Sequence, residues 1–162
     1  MATNNLAVFP GTFDPFTLGH HDIVLRASRI FHRVLVAVAE TPAKHTLMTL
    51  QDRVDSIRAT FEGCENVDVQ GFSGMLVDFL KEQGADILVR GVRTVADYDY
   101  EVQLAGMYRA LMPDMDIVML PTSGHLAYIS STLVRDVIIH RGDISKFVSA
   151  PVRAMIQTKY WE

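Results

Sequence analysis

Val34-Leu35-Val36-Ala37-Val38-Ala39 is six apolar residues in succession, with none left polar to face water. A strand with one solvated face alternates; one that never alternates is covered on both sides, as in a parallel sheet between helices. N-terminal to it, Ile23, Val24, Ala27, Ile30 and Phe31 recur three and four apart, as on one face of a helix. Before that, Leu6-Ala7-Val8-Phe9 is a short buried strand that stops at Pro10-Gly11.

The same alternation continues downstream. Thr49 followed by Asp52 reads as a helix N-cap with an acidic first turn, and Leu50, Val54, Ile57 and Phe61 supply the stripe. Val67-Asp68-Val69 is a third strand. Leu76, Phe79 and Leu80 mark a helix that Gly84 ends, and Ile87-Leu88-Val89 is a fourth strand terminating at Arg90-Gly91. A long helix spans Val95 to Met112, and Ile117-Val118-Met119-Leu120 is the fifth strand. Ser130 caps a helix holding Leu133, Val134, Val137 and Ile138, stopped by Gly142, and Pro151 opens a terminal helix. Strand, helix, strand, helix without repeats predicts one α/β domain over residues 1–162. It is doubly wound, with a five-stranded parallel sheet.

Composition narrows the function. With 49% hydrophobic and 21% charged residues in 162, the chain is globular and long enough for a real core. A net charge of −4 argues against a nucleic-acid-coating surface, yet leaves local sites for anions open. The single cysteine, Cys64, removes disulfide frameworks and cysteine-rich metal sites. No basic segment precedes the first apolar run and no run is long enough to span a bilayer, so a cytoplasmic protein without membrane partners is expected. Mean hydropathy is slightly positive. The long helix carries Tyr98, Tyr100, Val102, Leu104, Met107, Tyr108, Leu111 and Met112, apolar on more than one face. Both features predict a homo-oligomer.

In such sheets ligands bind at the carboxyl ends of the strands. The loop after the first strand reads Pro10-Gly11-Thr12-Phe13-Asp14-Pro15-Phe16-Thr17-Leu18-Gly19-His20. It is neither of the two commonest phosphate cradles. Gly11 nevertheless permits close backbone approach, Thr12 offers two donors, and a helix starts near Gly19-His20 with its positive end forward. The alternative is a plain loop with an N-capping Thr17 and an incidental histidine. Arg90-Gly91-Val92-Arg93 suits bidentate phosphate binding, unless the arginines merely meet Asp97, Asp99 and Glu101. Lys44 lies past the second strand, at the same edge or as a solvated charge. Ser130-Ser131-Thr132 could hold phosphates or simply cap a helix. The six histidines show no zinc spacing, and no G-x-S-x-G elbow is present. What remains stabilises phosphate charge and does little acid–base work.

Together these segments resemble the T/H-x-G-H superfamily of nucleotidyltransferases, with Thr17-Leu18-Gly19-His20 as its signature. Within it the chain looks like the phosphopantetheine adenylyltransferases, which make dephospho-coenzyme A. Pro10–Pro15, Val89–Arg93, Ala96–Glu101 and Ile129–Thr132 carry the likeness in order and spacing across nearly the whole chain. The resemblance implies a Rossmann-like fold, a magnesium-dependent adenylyl transfer from ATP to 4'-phosphopantetheine, and a hexamer. It implies that His20 stabilises the transition state, and that Lys44 and Arg90 hold the acceptor phosphate. Thr12 would be shared by both substrates, and Leu76 would line the pantetheine arm. Phe13, Gly91, Val92, Arg93 and Glu101, with Leu126, Ala127, Tyr128, Ile129, Ser130, Ser131 and Thr132, would surround ATP. Gly124-His125-Leu126-Ala127-Tyr128 lacks the aromatic-Ser-Phe run common in these proteins. Magnesium would ride on the substrate phosphates, with no metal ligand from protein side chains. The acceptor phosphate is already anionic at neutral pH, so no general base is expected. A sister transferase using a pyridine mononucleotide or CTP, and a non-catalytic ATP sensor, are the competing readings.

Overall fold

The computed structural model describes residues 5–43 and 45–161. In chain order the elements are β1 (Leu6–Gly11), α1 (Leu18–Ile30), β2 (Arg33–Ala39), α2 (Leu50–Thr60), β3 (Val67–Phe72) and α3 (Leu76–Gln83). Then follow β4 (Ile87–Val92), α4 (Val95–Leu111), β5 (Asp116–Pro121), a short 3-10 turn at Gly124–Leu126, α5 (Ser131–Ile139) and α6 (Ala150–Lys159). The five strands form one parallel sheet in the order β3-β2-β1-β4-β5.

The non-alternating strands behave as their sequence predicts. In β2, Val34, Val36 and Val38 join a core with α1, α2, α5 and α6, while Leu35 and Ala37 point to a second core with α3. β1 divides in the same way, Ala7 and Phe9 to one side and Val8 to the other. Every one of these side chains is at most 5% exposed. At about 25 cal/mol per Å² of apolar surface, this burial is the main force holding the layers together.

Several boundaries differ from the sequence reading. β1 continues through Pro10 to Gly11, and β3 runs on to Phe72. The backbone after α5 turns left-handed at Arg141 (φ 55), not at Gly142. Gly142 is needed for another reason, since a Cβ there would lie 2.7 Å from Val137 Cγ1. Gly84 does end α3 in the left-handed conformation, at φ 64.

The sheet opens where the site lies. β1 and β2 stay in register from Leu6↔Arg33 to Gly11↔Val38, and β4 and β5 from Ile87↔Asp116 to Val92↔Pro121. β1 and β4 pair only at Ala7↔Ile87 and Val8↔Leu88. Beyond that point they part, at the strand pair where the winding reverses. This splay is the crevice expected at a topological switch point.

Candidate active site

The cleft between the parted ends of β1 and β4 has a volume of about 850 Å³. Its walls are the β1 loop (Pro10 to Asp14), the first turn of α1, the end of β4 with the first turns of α4, and the start of α5. Three helices therefore begin at this cleft, each directing the positive end of its dipole toward it.

Thr17-Leu18-Gly19-His20 forms the entry to α1. Thr17 is the N-cap and accepts from the His20 N–H, while His20 Nδ1 accepts from the Thr17 N–H at 3.0 Å, closing a capping box. Thr17 thus caps the helix, as one reading of the loop has it, while His20 lines the cleft. The bond to Nδ1 also fixes the tautomer, leaving Nε2–H as the ring's donor.

His20 is neutral for a physical reason. The rings of Phe13, Phe16 and Phe9 lie 5.0, 5.4 and 6.2 Å from its own. Burial among them pulls its pKa from 6.5 to about 4, with the Arg93 charge adding to the effect. The residue is half-buried and lines the cleft, so its donor is a protected one. His21 turns away and packs on Phe61, with ring centroids 5.2 Å apart.

The β1 loop is pinned tightly. Phe13 adopts a left-handed φ of 51, which a bulky residue holds only under constraint. Its ring sits over Gly11, where any Cβ would meet it at 2.7 Å. The Asp14 carboxylate, 2% exposed, accepts from the N–H groups of Leu47 (2.7 Å) and Met48 (2.9 Å). Arg53 donates to the carbonyls of Thr12, Ala39 and Met48.

The β4 wall is charged. Arg90 Nε and Nη2 donate to the two carboxylate oxygens of Glu101, both at 2.8 Å, and its Nη1 approaches Pro10 O at 3.5 Å. A guanidinium has five donors, so two N–H groups remain. Arg93 Nε and backbone N–H both reach Asp97, and its Nη1 donates to Ile129 O at 3.2 Å. On α5, Ser130 caps the helix, Ser131 donates to Pro15 O at 2.8 Å, and Arg135 donates to Thr132 Oγ1 and Asp14 O.

The structure brings Thr12, Phe13, His20, Arg90, Gly91, Arg93, Glu101, Ile129, Ser130, Ser131 and Thr132 into this one cleft. Val92, Leu126, Ala127, Tyr128 and Leu76 are not among the residues lining it. Leu126 packs on the larger core, Leu76 on the smaller one, and Tyr128 is 62% exposed. Lys44 lies outside the described residues. Asp14, His45, Thr46, Tyr100 and Arg135 line the cleft and were given no role in a site from the sequence. Among them Arg135 had a usable signal, one helical turn beyond Ser131 on the same face.

The carboxylates at the cleft are Asp14, Asp97 and Glu101, and each is held by backbone N–H groups or an arginine. Among the described residues no group of three or more His, Cys, Asp or Glu could hold a metal ion. No helix among them is long and apolar enough to cross a membrane.

Residues 8–137 match the cytidylyltransferase-like family. The chain is 48% identical over 152 residues to the phosphopantetheine adenylyltransferase of Tolumonas auensis, covering 94% of this chain and 93% of that protein. It is 49% identical over 154 residues to the phosphopantetheine adenylyltransferase of Thioalkalivibrio sulfidiphilus, covering 95% and 97%. A crystal structure from Vibrio parahaemolyticus, of a protein named by inference as a nicotinate-nucleotide adenylyltransferase, superposes with a TM-score of 0.71. It covers 96% of this chain and 93% of its own, at 19% identity, a likeness of fold alone. With nearly full-length relatives at this level of identity, the chain is an adenylyltransferase and belongs to the phosphopantetheine adenylyltransferase family.

Proposed function

We propose that the cleft transfers the adenylyl group of ATP to the phosphate of 4'-phosphopantetheine, giving dephospho-coenzyme A and pyrophosphate. The observation that carries this reading is the meeting of a neutral His20 donor, three arginines and three helix N-termini in one cleft whose carboxylates are all engaged. Such a site stabilises phosphate charge and positions polyanions, and because the carboxylates lining it are engaged it suits a nucleophile that is already charged.

An oxygen of the acceptor phosphate attacks the α-phosphorus of ATP, forming the new P–O bond. The bond from that phosphorus to the bridging oxygen breaks, and pyrophosphate leaves with the electron pair. His20 Nε2–H donates to an α-phosphate oxygen as charge builds there, with Thr12 donating beside it. Arg90, using the two N–H groups that Glu101 and Pro10 leave, and Lys44 hold the acceptor phosphate. Arg93, Gly91 and the start of α5 hold the nucleotide, with Arg135 adding a cation near the leaving phosphates. Magnesium would be carried on the substrate phosphates and would neutralise part of their charge there, because the cleft carboxylates are committed to other partners.

We also propose a symmetric oligomer, a hexamer by family resemblance. The support is α4, in which Glu101 is the one buried residue while Val95, Tyr98, Tyr100, Val102, Met107 and Leu111 stand 46% or more exposed. Light scattering on the purified protein is expected to give a multiple of the 18.1 kDa chain, and a monomer at micromolar concentration contradicts it.

The test of function is product identity. Incubation with ATP, magnesium and a panel of phosphorylated acceptors is expected to yield dephospho-coenzyme A by mass spectrometry, and only with phosphopantetheine. A dinucleotide formed from a pyridine mononucleotide, or turnover with CTP, overturns the reading.

A further inference from the structure

We propose that Arg53 is a positioning residue for adenylyl transfer, holding from below the strained turn that presents Thr12 to the substrates; this rests on the reading of the cleft given above.

Arg53 is in the first turns of α2 and is 2% exposed. Its Nη1 donates to Thr12 O at 2.5 Å and to Ala39 O at 2.9 Å, and its Nε to Met48 O at 3.3 Å. One guanidinium thus joins the end of β1, the end of β2 and the approach to α2. None of these partners is a carboxylate. Burying a cation is costly, and an apolar side chain would fill the same space without that cost. The fork geometry supplies what an apolar residue cannot, three carbonyls fixed relative to one another.

The place where the fork acts is informative. Thr12 O is the acceptor one residue before Phe13, whose φ of 51 is unfavourable for a large side chain. One residue after Phe13, Asp14 is held by the Leu47 and Met48 N–H groups. The strained residue is therefore gripped on both flanks, its preceding carbonyl by Arg53 and its following side chain by the segment that Arg53 also anchors. A peptide held by its carbonyl from beneath the sheet edge keeps its side chain aimed at the cleft, and Thr12 lines that cleft. Arg53 itself is not among the lining residues, so it acts through Thr12 and not on the substrates.

Steady-state kinetics with ATP and phosphopantetheine test this on Arg53→Met and Arg53→Lys, each alone and combined with Thr12→Ala. Arg53→Met is expected to lower kcat by about 10²-fold, the scale of a misplacement near 1 Å, with the KM for ATP little changed. Arg53→Lys, which keeps the charge and can satisfy fewer carbonyls, is expected to recover about tenfold of that. In the Thr12→Ala background the Arg53 substitutions are expected to cost less than about threefold, since residues acting as a unit are not additive. The proposal is overturned if the variants melt earlier but keep wild-type kcat while folded, or if the losses at Arg53 and Thr12 multiply in full. Should Arg53→Met not fold, the Arg53→Lys and Thr12→Ala cycle decides the matter by the same criterion. A wild-type enzyme inactive toward phosphopantetheine defeats the functional reading itself, a result distinct from either outcome at Arg53.

Discussion

The two walls of the cleft are built in opposite ways. The β1 wall is apolar and pinned: His20 sits among three phenylalanine rings, Gly11 lies under Phe13, and Asp14 and Arg53 fasten the loop from within. The β4 wall is charged and partly wet: Arg90 and Arg93, with 22% and 36% of their side chains exposed, each carry a carboxylate partner. The difference implies a division of labour. A donor in a dry, fixed setting acts most strongly on charge that develops during reaction. Cations at a partly wet rim hold charge that is present throughout, and so contribute to binding.

The largest effect should come from the pinned wall. His20→Ala is expected to lower kcat by about 10²–10³, the usual cost of one such donor, with ATP affinity little changed. His21→Ala, whose ring packs on Phe61 outside the cleft, is expected to leave turnover near normal. A silent His20→Ala, or a sensitive His21, would break the comparison at its base.

Substitutions in the charged wall should instead split the two affinities. Arg90→Ala is expected to weaken phosphopantetheine binding by about 10- to 100-fold, as for a charged hydrogen bond lost, and ATP far less. Arg93→Ala is expected to do the reverse. Arg90→Lys keeps a cation beside Glu101 but not the paired fork, so it should restore binding only in part. Equal losses of both affinities in both variants would erase the assignment of one arginine to each substrate.

Acid should distinguish the walls more gently. The unfolded chain binds a proton at His20 near pH 6.5, whereas the folded one refuses it down to about 4. The unfolded state therefore gains protons first as pH falls, and stability is lost progressively from about 6.5 toward 4. Asp52 adds a second loss lower down, because its bonds from Lys159 and Tyr160 hold its pKa below the ordinary carboxylate value. Thermal unfolding midpoints should fall over the upper window in the wild type, and His20→Asn should shrink that limb to the share of His21, whose burial also lowers its pKa, while leaving the lower one. An identical upper limb in His20→Asn would mean that another group titrates there.

The walls also differ in how far they could be read from the residues alone. The sheet was legible because β2 never alternates, and burial on both faces is written into that run. Thr17-Leu18-Gly19-His20 was legible as a loop-to-helix junction because capping is a local matter of three residues. Arg53 was not. It stands four residues after the cap Thr49 in an ordinary amphipathic helix, and its partners at positions 12, 39 and 48 come to it only through the folded sheet. The role of Asp14 was hidden for the same reason, since its partners Leu47 and Met48 lie more than thirty residues away. The parting of β1 from β4, which makes the cleft, depends on strand pairing that no short window contains.

The most direct test of the whole account is pyrophosphate release by the wild-type protein with ATP and magnesium, measured side by side with phosphopantetheine and with dephosphorylated pantetheine. In the proposed mechanism the nucleophile is a phosphate oxygen that is already charged at neutral pH. Release is expected only with the phosphorylated acceptor, and equal turnover with pantetheine would contradict the account.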